Sequence, residues 1–169
     1  MASVRSPFSR SAELEAGEGD RPVSLIVASS EREIALHHRI RQEVFVVEQG
    51  FFDESDRDEH DDYPATVRIL GLCGSVAGGA VRIYPVDEEG LWKGDRLAVL
   101  APFRPRGLGA RLVRFAVATA GERGGALMIA RIQPQNVTFF RRLGWERVGE
   151  PGDYVGRLHQ EMSIRLGRS

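Results

Sequence analysis

The stretch APFRPRGLGARLVRF, residues 101–115, sets two arginines and a proline ahead of Gly-Leu-Gly. It then runs directly into apolar residues at helical spacing. Gly107 and Gly109 leave bare backbone where that helix begins. The first N–H groups of a helix have no internal partner and carry partial positive charge. Phosphate is their natural guest. Arg104 and Arg106 add charged donors beside them. Each charge-assisted hydrogen bond is worth about 1.5–3 kcal/mol, so several together suffice for a diphosphate. A P-loop would need Gly-Lys-Ser/Thr, which the chain lacks. A dinucleotide fingerprint would need a third glycine where Leu112 stands, and an early β-α-β unit. Arg-x-x-Gly-x-Gly, filled by Arg104, Gly107 and Gly109, is left. A solvated turn that merely needs its glycines is the alternative.

Outward from this loop the chain alternates legibly. VSLIVAS (23–29) is apolar and β-branched, a buried strand. Ser30 and Glu33 have capping-box spacing, and the helix they open runs to about Gln49, ended by Gly50. FFDESDRDEHDDYP (51–64) is an acidic loop or ragged short helix. ATVRILGLC (65–73) and VAGGAVRIYPV (76–86) read as a hairpin turned at Gly74-Ser75, and LWKGDRLAVLA (91–101) as a third strand. A helix over about 107–122, a strand over 126–133 and a short helix over 135–144 follow. WERVGE and RLHQEMSIRL are final strands around a turn-rich PGDYVG. The order β-α-β-β-β-α-β-α-β-β predicts a mixed α/β fold, with helices on both faces of a mixed sheet.

Residues 1–21 are poor in bulky apolar groups and read as a flexible tail; 22–169 read as one domain. The chain is 42% hydrophobic and 28% charged with a net charge of −1, which points to no nucleic-acid or membrane partner. No signal peptide or membrane span is evident, and the single cysteine, Cys73, sits in an apolar strand. A cytoplasmic protein without disulfides is expected. His37, His38 and His60 are too scattered for a metal site. Asp56, Asp58 and His60 imitate an EF-hand start, but Asp61 stands at the required glycine and Val67 at the required glutamate. No metal is expected.

RLAVLAPFRPRGLGARLV (96–113), the later NVTFFRRLGW and the strand order together resemble the GNAT superfamily of N-acetyltransferases. The likeness covers residues 23–166. RQEVFVVEQGFFDESDRDEHD (41–61) resembles the ElaA-like branch. The resemblance implies a GNAT-like acyl-CoA N-acyltransferase fold, with the strand before the loop splayed from its parallel neighbour. It implies acetyl-CoA as co-substrate and a small-molecule primary amine as acceptor, with a homodimer left open. Leu97 and Val99 would offer main-chain groups to pantetheine. Arg104, Arg106, Gly107, Leu108, Gly109 and Ala110 would hold the phosphates. Asn136 would reach the pantetheine arm, with Phe140 beside it. Two departures stand out. Pro105 follows the arginine where the family often has glycine, and has no N–H. Phe140 replaces the tyrosine that often serves as general acid. A non-catalytic acyl-CoA sensor is the rival these departures support. An acyl-homoserine-lactone-synthase-like enzyme is a second rival, but Lys93 stands where such synthases carry glutamate.

An alkylamine with a pKa near 10.4 costs about 4–5 kcal/mol to deprotonate at pH 7. Asp95 is the first candidate base and Glu48 the second, with a salt bridge or a surface position as their structural alternatives. Tyr154, or Tyr84, could replace the missing acid. Arg41 is read as anchoring the acidic loop through Asp56 or Asp58, with substrate contact as the other role. Those aspartates could draw in a cationic amine from the rim. Trp92, Phe51, Phe52 and Tyr63 could line an acceptor pocket, and His159 on the last strand is a further substrate contact.

Overall fold

The computed structural model describes residues 21–154 and 156–167. All of the expected tail except Arg21 lies outside the described residues. The strands are β1 (Val23–Val27), β2 (Val67–Cys73), β3 (Val76–Pro85), β4 (Leu91–Val99), β5 (Leu127–Ile132), β6 (Glu146–Arg147), β7 (Gly152–Tyr154) and β8 (Arg157–Arg165). The helices are α1 (Glu31–Arg41), α2 (Leu108–Glu122) and α3 (Val137–Arg142). The sheet runs β1-β2-β3-β4-β5-β8-β6, with β7 on β8. The pairing is antiparallel except between β4 and β5, which are joined by the α2 crossover.

Local chemistry explains the main elements. Ser30 accepts from the Glu33 amide while the Glu33 carboxylate takes the Ser30 amide, closing the capping box. Beyond Arg41 the helix widens into a π turn over Gln42–Glu48, and Gln49 N–H reaches Val44 O at 2.9 Å. Such widened turns often mark functional sites. On α2, Leu108, Leu112, Val113, Ala116 and Ala120 form one buried stripe.

The sheet separates two cores. Ile40 and Val44 from the α1 side meet Leu70, Ala77, Ala80 and Ala98. On the opposite face, Leu108, Leu112, Phe140 and Trp145 meet Ile69, Val81, Ile83 and Met128. β3 is small-residue backbone in the middle of this sandwich. A Cβ on Gly78 would come within 2.5 Å of the Phe103 ring, and one on Gly79 within 2.7 Å of Leu112. Those glycines let α2 and its leading loop sit directly on the sheet.

Four expectations shift. The third strand ends at Val99, because Leu100 N–H turns aside to Gly78 O and Ala101–Arg106 coil into a 3-10 turn. The helix expected over 135–144 is the six-residue α3, preceded by a 3-10 turn at Pro134–Asn136. Of WERVGE, only Glu146–Arg147 pair as strand. The turn-rich stretch PGDYVG also contains β7, which pairs Gly152 with His159 and Tyr154 with Arg157.

Candidate active site in the gap between β4 and β5

The β4–β5 ladder lasts three residue pairs, Leu91–Leu127, Trp92–Met128 and Lys93–Ile129. Beyond them β5 pairs only with β8, and β4 veers toward the loop. The veer has a local cause. The register between β3 and β4 slips between Ala80 and Arg82, so Arg96 and Leu97 together oppose Val81, and Arg96 adopts φ 52°. Such a bulge bends and twists its strand. A cavity of about 180 Å³ fills the gap, lined by Gly94–Leu97 on one side and Ala130–Gln133 on the other. Val113, Ala116, Phe140 and Trp145 floor it from the α2 face, and Phe45, Phe51 and Phe52 close it from the α1 face.

At the far end of β4, Gly107 takes φ 69° and starts α2 without a side-chain cap. The first turn of α2 carries no acid. The amides of Leu108, Gly109 and Ala110 therefore present their donors without competition. Buried Phe103 and Leu108 pin this corner to the sheet. Arg104 donates Nε–H to Val99 O at 3.1 Å and ion-pairs with Glu48 at 2.5 Å. Arg106 donates to Arg21 O at 2.8 Å. Asn136 is exposed at the cavity edge; Phe140 is buried, edge-on to Trp145. The Trp145 indole N–H is itself buried without a partner.

The acidic loop is placed differently from its expected rim position. Arg41, fully buried, binds Asp56 at 2.6 Å and Asp61 at 2.7 Å. Arg82, also fully buried, binds Asp58 at 2.6 Å and both oxygens of Asp95 at 2.7 Å. Arg96 donates to Asp56 O at 2.9 Å and reaches Asp58 at 3.3 Å. Burial alone would raise Asp58, but Arg82 and Arg96 hold it down to about 2. Arg41, Asp56 and Asp58 are thus occupied with one another or with Arg82, and none lines the cavity. For Arg41 this is the anchoring role through Asp56 that the sequence suggested first. The substrate-contact roles of Arg41, Asp56 and Asp58 are corrected, because Asp56, Asp58 and Asp61 clamp the loop to α1, β3 and β4, while Asp53, Glu54, Glu59 and Asp62 stay exposed.

Other expectations also move. Glu48 lies on the surface with Arg104 and does not line the cavity, so it is not placed to act as base. Trp92 is buried in the core against Gly125 and does not line the cavity. Tyr63 is exposed and Tyr84 stacks on His60 at 4.3 Å; neither reaches the cavity. Asp95 does line it, with both carboxylate oxygens held by Arg82.

Leu97, Tyr154 and His159 line the cavity, joined by Lys93 and Arg131, whose roles went unread in the sequence. Lys93 faces Ile129 across the last parallel pair, and Arg131 follows two residues later on the same face. Both approach the Tyr154 ring, at 6.0 and 4.3 Å from its centroid. Burial, then the nearby Arg131, Arg82 and Arg96 charges, pull Lys93 below the ordinary lysine range against the opposing pull of Asp95. A charged residue interrupting an apolar strand was the available signal for both. The His159 ring is buried, edge-on to Tyr154 and Phe51, with Nδ1 3.0 Å from Arg157 O. A carbonyl can only accept, so Nδ1 carries a proton, and in the neutral ring the lone pair is on Nε2.

This splayed sheet with a glycine-led helix start defines an acyltransferase-type architecture. Residues 64–147 match the family model of the acetyltransferase (GNAT) domain, and the chain belongs to the GNAT acetyltransferase family. It is similar to the uncharacterized N-acetyltransferase YjcF of Bacillus subtilis (strain 168), 26% identical over 125 residues, 74% of this chain and 86% of that protein. Its fold matches Escherichia coli ElaA with a TM-score of 0.73 at 21% identity, covering 85% of this chain and 98% of ElaA. It also matches an aminoglycoside 6'-N-acetyltransferase solved with coenzyme A, with a TM-score of 0.70 at 14% identity, covering 88% of this chain and 98% of that one. No helix among the described residues is long and apolar enough to cross a membrane.

Proposed function

We propose that this chain transfers an acetyl group from acetyl-CoA to the primary amine of a small molecule, directly and without a covalent enzyme intermediate. The observation that carries this reading is the three-pair β4–β5 ladder. It parts into a cavity bordered by α2, and the uncapped, acid-free start of that helix is flanked by arginines. Those residues fit coenzyme A. The amides of Leu108, Gly109 and Ala110, with Arg104 and Arg106, would hold its diphosphate. Leu97, Val99 and Asn136 would meet the pantetheine arm, and Phe140 would supply an apolar wall. Bound acetyl-CoA supplies the activated thioester.

Within the chain, the main-chain N–H groups at the Arg96–Leu97 bulge are donors for the carbonyl oxygen as it becomes an oxyanion. Among the cavity's bases, His159 is best prepared. Its Nδ1–H is anchored on Arg157 O, which leaves Nε2 free to accept the amine's proton. Asp95 would have to give up hydrogen bonds to Arg82 to do the same. The amine nitrogen forms the new C–N bond as the C–S bond breaks. The departing thiolate takes a proton from the Tyr154 hydroxyl or from water. A thiol pKa near 8.5 makes that leaving group tolerant of a weak acid, so Phe140 at the usual tyrosine position does not bar the reaction.

Thiol release from acetyl-CoA across an amine panel tests the reading. Release with at least one amine is expected, falling about 10²–10⁴-fold in His159→Gln if the ring is the base. Tight acetyl-CoA binding by calorimetry, with no release for any amine, would instead identify a sensor.

A further inference from the structure

Resting on that acyltransfer reading, we infer that the acceptor amine also bears an anionic group, a carboxylate first of all, seated between Lys93 and Arg131 beside the Tyr154 ring. The acidic loop leaves the opposite open in the sequence, a cationic amine drawn by acid or simply a solvated acidic surface. The structure reverses the sign. Asp56, Asp58 and Asp61 are spent on Arg41, Arg82 and Arg96, and Asp95 is held by Arg82. Lys93 and Arg131 line the same cavity, and among the described residues neither has an ion pair.

Their positions are specific. Lys93 stands at the last parallel pair and Arg131 two residues on, where the strands have parted, so the two cations flank the base of the gap. Lys93 is half-buried, and an unpaired cation there is unfavourable until an anion joins it, while Arg131 lines the same cavity from an exposed position open to an incoming anion. The downward displacement of Lys93, with Arg131 among its causes, is what such a site looks like before its anion arrives. A polycation would meet like charge here. A carboxylate would meet the two-pronged guanidinium of Arg131 and the point charge of Lys93.

The same cations help the chemistry. Positive charge near an ammonium favours its free base, whereas carboxylates at that place would raise its pKa and oppose attack. Recognition of the acid and release of the amine's proton therefore draw on one set of residues.

The experiment compares amino acids with their carboxamides and their decarboxylated amines, together with taurine and aminoethylphosphonate. Two readouts are used: thiol release from acetyl-CoA, and calorimetric binding in the presence of coenzyme A. The acids are expected to exceed their amides by about tenfold or more in kcat/KM and in affinity. Arg131→Met and Lys93→Met should raise KM for the acid about tenfold, leave KM for acetyl-CoA unchanged, and bring the acid-to-amide ratio toward one. Arg131→Lys should recover part of the preference, which separates charge recognition from misfolding. Preference for taurine or the phosphonate supports the anionic site and assigns its group. Equal or better use of the amides and decarboxylated amines overturns the inference while acyl transfer stands. Binding of the acids without thiol release from any amine defeats the acyltransfer reading and leaves the anionic site standing.

Discussion

Arg82 holds both carboxylate oxygens of Asp95 at 2.7 Å while its Nη1 grips Asp58 at 2.6 Å. One fully buried guanidinium thus ties β4 to the loop over the active site. Asp95→Asn keeps the shape and removes half of the compensating charge. A stability loss of about 1–3 kcal/mol is expected, read as a lower melting temperature, with kcat/KM reduced less than about tenfold. A fall of about 10²-fold or more at unchanged melting temperature would return the base role to Asp95.

The Glu48–Arg104 pair predicts opposite effects from its two partners. On the proposed reading Arg104 meets the diphosphate, yet it is held by Glu48, an acid that the diphosphate must displace or tolerate. Both side chains are well exposed, at 45% and 40%, so the pair itself is weak. Arg104→Ala should weaken acetyl-CoA about tenfold or more, by loss of a charge-assisted bond. Glu48→Gln should tighten it by up to about fivefold, because an exposed pair is worth at most about 1 kcal/mol. Calorimetric titration of both variants decides; tighter binding in Arg104→Ala would remove the diphosphate from this corner.

His37 sets a pH limit on stability. It lies fully buried under β3, donating Nε2–H to Val81 O at 3.0 Å, with Nδ1 unpartnered. Burial above all, then nearby cations, lower it from 6.5 to about 3, against the Val81 bond. The folded state therefore resists protonation that the unfolded chain accepts. Stability from this group is full above pH 6.5 and is lost as pH falls toward about 3, at a slope near 1.4 kcal/mol per pH unit. The paired carboxylates add their loss only at lower pH, as Asp58 titrates near 2. Urea unfolding at pH 7, 5.5 and 4.5 should show the decline, and His37→Gln should reduce its slope by about half while costing about 1–3 kcal/mol at pH 7, because His38, lowered by burial and then Arg41 to about 4, loses stability over the same range.

What could be read in advance divides along physical lines. Strand and helix order follow from local periodicity, and the loop follows from glycine chemistry at a helix start; both are short-range. The splay depends on where β3 and β4 slip register at Arg96–Leu97, and no single segment encodes that. The acids of residues 53–62 are visible as charge and Arg41 as one partner, but not Arg82 and Arg96, the other two arginines that claim them. Arg82 inside the apolar GGAVRIYPV run was the available clue, since an arginine there must be paired. Lys93 drew notice only as a departure from another family's glutamate, and Arg131 drew none. Their meaning arises when β4 and β5 stand side by side.

Gly78 links stability to the active-site corner. A methyl group there would lie 2.5–2.8 Å from three ring atoms of Phe103, the buried residue that pins the 3-10 turn ahead of Gly107. An aromatic ring at the centre of a packed face cannot yield as the tip of a lysine would, so the turn itself must lift. Overpacking of this kind costs about 1–3 kcal/mol. Gly78→Ala should therefore lower the melting temperature and weaken acetyl-CoA together, because the lifted turn carries Arg104 and Gly107 away from the amides of α2. A control at Gly109, where a Cβ would meet Phe139 and Val99 at an ordinary 3.7–3.8 Å, separates packing from ligand approach. Gly109→Ala should keep the melting temperature within about 1 °C, a change of a few tenths of a kcal/mol, and, if coenzyme A lies close to this turn as proposed, still weaken acetyl-CoA. Equal melting losses in both variants, or full acetyl-CoA affinity in Gly78→Ala, would show that the corner's geometry does not depend on the glycine-backed Phe103.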